Sequence, residues 1–386
     1  MSDFFKDKKL FGDRTTIGHL VVDIKLKAAA DGEPTIPRVR FTFAAPREDG
    51  SPEDKFAFYS GCVDSTTNRV TVQWALQRNA RQASDDVSGA YWKGEPRPAE
   101  EGGRRCYLFI PEWLSRQYPG LFPARDSTGR RHVLLVIGNM PGRRDAGKIW
   151  QETYDAFLTG FGLVPTSFDP RCFCLAADDG DLLATIHVDD SRTTFTGVII
   201  TRYRHAWADR FDEKLTPLAG PKTDFTGLQY TFIGEGEDRR CEISCSGVIK
   251  RLDRLAGEHD FPRARSVETP MTPEDLHDIS APASDENPLM PGKLAPARCI
   301  AGTIGFIVTM VRVDGYLAFC IIARYLNAAR FTYHVWLCLL RLAHYLVGTI
   351  DLPLTLRRAP RGAEMIAYVD SAHGNVEGGR SQGGFF

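Results

Sequence analysis

Between Arg171 and Asp190 the chain reads RCFCLAADDGDLLATIHVDD. Two apolar runs of strand length flank an Asp-Gly turn signal, a pattern that closes on itself as an antiparallel hairpin. The hairpin commits this part of the chain to an antiparallel sheet. It also puts two neighbouring carboxylates, Asp189 and Asp190, at or just beyond the end of the second strand. Adjacent like charges repel, and burying either is costly unless a cation or hydrogen bonds compensate. Three readings stand at this point. The pair can be ordinary turn chemistry, because Asp caps nearby backbone N–H groups. It can hold a divalent metal, because a hard cation prefers oxygen ligands and tolerates adjacent negative charge. A paired-carboxylate acid/base site would need a sugar-binding cleft, and nothing nearby suggests one. The polar run SRTTFTG follows, then the strand-like GVII.

At 386 residues the chain has room for two or three domains with a substantial core. Apolar residues make up 43% and charged residues 25%, which is the balance of a globular protein. The net charge of −1 means that a nucleic-acid partner would need a local basic surface. The candidate clusters are RPAEEGGRR, TGRRH, PGRRDAGK, TRYRHAWADR and FPRARS, each of which reads equally as a solvated face. The nine cysteines include no CxxC pair, which argues against a zinc knuckle. With no signal peptide at the N-terminus, they are expected to be reduced thiols of an intracellular protein. The apolar stretch Ile300–Val311 is too short to span a bilayer, so no membrane is expected.

Three stretches read as linkers: 28–34, 95–105 and 272–293, the last being the best boundary. Residues 148–162 place Ile149, Trp150, Tyr154, Phe157, Leu158 and Phe161 on one helical face and stop at Gly162. Further strands are expected over 224–246, with Gly234 and Gly236 near a turn, and helices beyond 293.

A two-metal phosphoryl-transfer site needs carboxylates from more than one strand. Asp86, in SDDVSGAYWKG and 103 residues before Asp189, supplies the third. Asp86, the aromatic Tyr91 five positions on, and the hydrophobic–Asp–Asp strand end together resemble a reverse transcriptase. The closer resemblance is to the Ty1/copia class of retrotransposon polyproteins. YSGCVDSTTNR (59–69) resembles the family's F-S-P-V-V-x-x-T-T-x-R, and DVSGAYWKGE its D-V-K-T-A-F-L-N-G. GRRDAGKIW (142–150) resembles G-L-K-Q-S-G-R-x-W, and IHVDD resembles Y-V-D-D. LQYTFIG (228–234), ETPM (268–271), ARCIAG (297–302) and HVWLCLLRLAHYLVGTIDLPL follow in the family's order. The tail AYVDSAHGNVEGGRSQGGFF resembles the start of its ribonuclease H module. The likeness runs from about residue 36 to the end.

The resemblance implies an α+β, right-hand polymerase of fingers, palm and thumb, with an antiparallel palm sheet, a helical connection and a truncated ribonuclease H-like start. The expected division is an N-terminal extension (1–35), fingers and palm (36–246), thumb and connection (247–360) and the ribonuclease H start (361–386). The implied activity is RNA-directed DNA polymerisation, a nucleotidyl transfer to a primer 3′-hydroxyl. The alternative is a decayed or co-opted retroelement copy that binds nucleic acid without catalysis. Asp86, Asp189 and Asp190 would hold two Mg²⁺, for which Mn²⁺ can stand in. Arg40 would contact the triphosphate, Tyr91 would lie against the sugar, and Asp145 and His187 would line the substrate site. Phe232, Ile233 and Gly234 would position the primer, and Asp370 would be a vestigial ribonuclease H carboxylate. The implied partners are an RNA or DNA template with its primer, deoxynucleoside triphosphates and other parts of the polyprotein. The implied location is cytoplasmic, in virus-like particles, or nuclear. The sequence departs from the family pattern at His187 (for Tyr), Asp145 (near a usual Gln), Ala44 (for a basic residue) and Val313 (for Pro).

Overall fold

The computed structural model describes residues 2–11, 15–27, 36–44, 60–123, 125, 129–215, 217–218, 220–258, 267–360, 369–376 and 380–385. They form a mixed α+β protein whose sheets are almost wholly antiparallel. The N-terminal helix α1 (Ser2–Phe11) precedes β1 (Thr15–Lys27) and β2 (Ile36–Ala44). These two strands join β4 (Arg105–Phe109) and β5 (Val133–Val136) in a sheet of order β2-β1-β4-β5, where β1 and β4 run parallel. Its small core is Phe43, Cys106 and Met140.

The central sheet has five strands in the order β3-β9-β8-β7-β6: β3 (Arg81–Asp86), β6 (Val164–Pro165), β7 (Cys172–Ala177), β8 (Gly180–His187) and β9 (Asp190–Phe195). The 172–187 hairpin forms as the sequence predicts, but its two loop residues are Asp178 and Asp179, because Ala177 pairs with Gly180. Gly180 is needed for a different reason. A Cβ there would lie 2.2 Å from the Thr196 carbonyl oxygen, so the glycine lets the next connection cross close by. SRTTF is the buried strand β9, and GVII instead starts helix α6 (Ile199–Phe211). Ser and Thr can serve a buried strand when their hydroxyls find acceptors. Here Ser191 donates to the Asp85 carbonyl (2.8 Å), and Thr194 accepts from the Gln82 amide (3.0 Å).

On one face of this sheet lie α5 (Ala146–Phe161) and α6, with Trp150, Tyr154, Leu158, Tyr203 and Phe211 packed on Leu182, Ala184 and Ile186. The aromatic stripe predicted over 148–162 is this buried face, and Gly162, at φ +109°, ends the helix. The opposite face meets α2 (Ser65–Arg78) and a second antiparallel sheet. Its order is β10 (Lys222–Phe225), β11 (Leu228–Ile233), β12 (Arg240–Ser244) and β13 (Leu354–Arg357). The third core combines this sheet with α7 (Ser246–Gly257), α9 (Leu294–Met310), α10 (Tyr316–Ala323) and α11 (Tyr333–Gly348). Residues on both sides of position 246 share that core, and β13 returns from beyond it to close the sheet.

The expected linker 272–293 is a structured element. Thr272 and Asp275 form a reciprocal capping box for α8 (Pro273–Asp278), and Ile279 is buried. Asn287 is buried as well. Its side-chain oxygen accepts from His334 N–H, and its amide nitrogen donates to the Ala281 and Pro282 carbonyls. The apolar segment reaches further than Ile300–Val311 suggests: Pro291–Met310 is long and apolar enough to cross a membrane by length and composition. Ile300, Ile304, Ile307 and Val308 are nevertheless fully buried against the sheet and α11, which is how a core helix uses such a sequence. Arg69, in the TTNR motif, donates to the carbonyls of Thr309 (2.6 Å) and Met310 (3.2 Å) at the C-terminal end of α9, where a cation is favoured.

Candidate carboxylate site

The β8–β9 hairpin turns through only two residues, Val188 and Asp189, since His187 pairs with Asp190. Val188 has φ +60°, a left-handed backbone that a β-branched side chain rarely adopts, while Asp189 keeps a negative φ. That sign pattern belongs to a type II′ turn, whose first central position normally goes to glycine. The strain is held from the helix side. The fully buried Trp150 donates its indole N–H to the Val188 carbonyl at 2.7 Å. Val63 N–H donates to the Ile186 carbonyl at 3.0 Å, and Cys62 bridges His187, so segment 62–63 continues the sheet beside the turn.

The β3–β9 register puts Asp86 directly opposite Asp190. Cross-strand partners share a face, so both lie on the side toward α2 and the second sheet. Asp189 joins them from the turn. Asp86 and Asp189 are exposed, whereas Asp190 is largely enclosed. The β10–β11 turn, Thr226-Gly227, reaches this corner, and Thr226 N–H donates to Asp190 at 2.9 Å. Burial pushes the Asp190 carboxyl up to about 6, and the charges of Asp86 and Asp189 push the same way against the Thr226 bond and Arg192. Two elements distant in sequence thus deliver three carboxylates to one corner. Among the described residues no set of three His, Cys, Asp or Glu side chains is closed into a metal-binding group as it stands. The donor chemistry still fits a hard divalent cation: oxygen ligands only, two of them exposed, with a surplus of negative charge.

The raised Asp190 value has a consequence for stability. A carboxyl whose folded pKa lies above its ordinary 3.8 contributes stability that is present at low pH and is lost as pH rises through about 6. In chelator, Asp190→Asn is therefore expected to melt above the wild type at pH 7 to 8, by up to ~3 kcal/mol, with the gap closing near pH ~4. A gap that stays constant across this range in thermal melts would show that Asp190 is not the responsible group.

Beneath Asp190, two residues along β9 and on the same face, Arg192 is completely buried. It donates to the Asn68 carbonyl (3.1 Å), the Asn68 side chain (3.1 Å) and Thr71 (2.6 Å), and its guanidinium lies 4.2 Å from the Tyr230 ring centroid. Asp85 points to the other face, where Arg204 of α6 grips its carboxylate at 2.7 and 3.1 Å.

Tyr91 sits on a single helical turn, α3 (Ala90–Lys93), beyond the end of β3. The turn is anchored to Glu213, which takes Ser88 N–H (2.7 Å) and Lys93 Nζ (2.6 Å). Burial raises the Tyr91 phenol pKa, and the Asp189 charge adds to it, while the ring packs on the edge of the Trp150 core. His187 is half-buried at the strand end.

Other expected residues lie elsewhere. Asp145 is buried at the start of α5 and is taken by Arg143 in a two-pronged ion pair, 3.0 Å on each prong. Arg40 is exposed on β2, opposite Asp23. Phe232, Ile233 and Gly234 lie at the end of β11 remote from the Thr226 turn, so the structure does not bring them to Asp190. Asp370 lies on β14 (Val369–Val376), which among the described residues pairs with β15 (Arg380–Phe385) alone. Tyr59 and FPRARS (261–266) lie outside the described residues. The cluster TRYRHAWADR is occupied internally: Arg202 pairs with Asp179 (3.3 Å), Arg204 with Asp85 and Arg210 with Glu95 (2.9 Å).

Sequence reasoning missed Trp150, Thr226, Arg192 and Arg204 as supports of the site. Trp150 was visible as one of an aromatic stripe and as the end of GRRDAGKIW, and Arg192 only as one residue of a polar run. No family model matches the chain, and no solved structure matches it.

Proposed function

We propose that the chain is an RNA-directed DNA polymerase of the Ty1/copia retrotransposon kind, working through Asp86, Asp189 and Asp190. The observation that carries this reading is the pairing of Asp86 with Asp190 across β3 and β9, with Asp189 in the adjoining two-residue turn. Three carboxylates at a strand end, two of them solvent-facing, suit phosphate chemistry. In this reading the central sheet is the palm, the N-terminal sheet the fingers and the α7–α11 region the thumb and connection.

A pair of divalent ions at such a site supplies Lewis acidity toward the primer hydroxyl and neutralises the triphosphate. The protein's own part is to hold the three carboxylates in place. Trp150 fixes the turn that carries Asp189, and the Thr226 N–H orients Asp190. Asp145, satisfied by Arg143, acts here as a support of the loop before α5 rather than as a nucleotide contact. Extension of a DNA primer on an RNA template with Mg²⁺ tests the proposal, and its absence in a folded preparation would favour the non-catalytic nucleic-acid-binding alternative.

Tyr91 offers a sharper test. Its ring is half-buried beside Asp189 on a turn pinned at both ends, which suits a fixed floor under the incoming sugar. A 2′-hydroxyl forced against a packed ring costs on the order of 1–3 kcal/mol, about ten- to a hundredfold in selectivity. Tyr91→Ala is expected to raise ribonucleotide relative to deoxyribonucleotide incorporation by that factor. An unchanged ratio of the two kcat/KM values would make Tyr91 a packing residue.

A further inference from the structure

A cleft of about 740 Å³ opens at the end of the central sheet opposite the carboxylates. It lies where β3 begins, at Arg81, whereas Asp86 ends that strand roughly 17 Å away at strand rise. Its walls come from the end of α2, the start of β3, the end of β9, the approach to β10 and the β11–β12 turn. The volume is that of a small-ligand site rather than of a groove for a duplex.

Its charged groups differ from the arginines of the fold's close ion pairs. Arg143, Arg171, Arg204 and Arg312 are all matched to carboxylates at 2.6–3.0 Å. In the cleft, Arg81 is exposed and stacks on the Phe195 ring at 5.1 Å. Arg78, 62% exposed, reaches only to 3.9 Å from Asp181. Arg239 is buried and committed to α2 and its exit, donating to Ala75 O (3.3 Å), Asn79 Oδ1 (2.8 Å) and Ala80 O (2.6 Å), so it adds field rather than contact. Arg78 and Arg81 both line the cleft with weak commitments, Arg81 from the strand face it shares with Phe195, and weakly committed guanidiniums are the groups that recognise phosphate.

The remaining lining is not what a polyanion wants. Gln82 is 5% exposed, its amide nitrogen is spent on Thr194 at 3.0 Å, and its Oε1 has no hydrogen-bond partner. A buried acceptor left unsatisfied costs free energy until a donor arrives. Glu235 adds a second acceptor on the far wall. Phe232, half-buried with Arg239 stacked at 4.9 Å, supplies an apolar surface. A ligand that satisfies all of these carries phosphate at one end, hydroxyl or amino donors at the other, and a flat apolar part.

From this convergence of Arg78, Arg81, Gln82, Glu235 and Phe232 we infer that the cleft binds a nucleoside phosphate, separately from the carboxylate corner. Binding of this kind needs no divalent ion, because the cations are the protein's own. It also does not depend on polymerase activity.

The test uses the full chain in EDTA with a fluorescent N-methylanthraniloyl ADP, followed by anisotropy. Saturable one-to-one binding is expected, unchanged in Asp86→Asn and in the control Arg202→Ala, and weakened about tenfold by either Arg78→Ala or Arg81→Ala. Unlabelled ADP should displace the probe better than adenosine or inorganic phosphate does. Absence of saturable binding, equal affinity in the cleft variants, or loss of binding in Asp86→Asn would overturn the assignment. So would a weakened single-stranded oligonucleotide with unchanged ADP binding in Arg81→Ala, which would give the cleft to a nucleic-acid strand. Because none of these measurements involves primer extension, their failure is distinguishable from failure of the polymerase reading.

Discussion

Asp86→Asn and Asp189→Asn are each expected to abolish primer extension, by at least ~10³-fold in kcat, which corresponds to about 4 kcal/mol of lost transition-state stabilisation. The effect should fall on chemistry alone. Both side chains are exposed, and neither is packed into a core. Amide replacement removes a negative charge from a corner where Asp86, Asp189 and Asp190 repel one another. Metal-free stability is therefore expected to stay level or to rise slightly. Affinity for a template–primer should change less than about twofold, since phosphate contacts elsewhere supply most of such binding, and it should fall steeply with salt. The decisive comparison is single-turnover extension beside anisotropy on the same duplex. Retained extension in either variant would remove that carboxylate from the site, and a parallel loss of binding would mean that the variant had disturbed the fold.

The parts of this site that could be read in the sequence are those with a local period. The 172–187 hairpin, the α5 stripe ended by Gly162 and the position of Asp189 beyond an apolar strand follow from alternation, helical spacing and turn chemistry. Supports that depend on pairing between distant segments left no such trace. Thr226 reaches Asp190 only because β10 and β11 fold back beside β9, and a Thr-Gly turn looks alike wherever it docks. SRTTF stands out in the sequence only as a polar run, because its partners are not visible there. In the fold its hydroxyls are satisfied by β3, and its one cation by α2. Asp145 shows a contact that spacing alone could not select: the family position implies a place near the nucleotide, and in the fold Arg143, two residues earlier, holds the carboxylate.

Asp85 gives the second large effect, and it should be the reverse of its neighbour's. Successive residues of a strand face opposite sides, so the register that presents Asp86 to Asp190 turns Asp85 into the helix layer. There the Asp85 and Arg204 side chains are 3% and 8% exposed, with the guanidinium on the carboxylate at 2.7 Å. Removing one partner of a buried pair leaves the other charge uncompensated, which typically costs 3–5 kcal/mol, whereas replacing both with apolar groups is often nearly neutral. Asp85→Asn is expected to lower stability by ~3 kcal/mol, roughly 4 °C in melting temperature for a chain of this size. Asp85→Leu combined with Arg204→Met should recover most of that loss. Whatever fraction of Asp85→Asn remains folded at low temperature should still extend a primer, because its carboxylate is not among the three at the corner. The two adjacent aspartates therefore test the strand register itself. A one-residue slip of β3 would exchange their faces. In that case Asp85→Asn would be stable and inactive, and Asp86→Asn unstable and active.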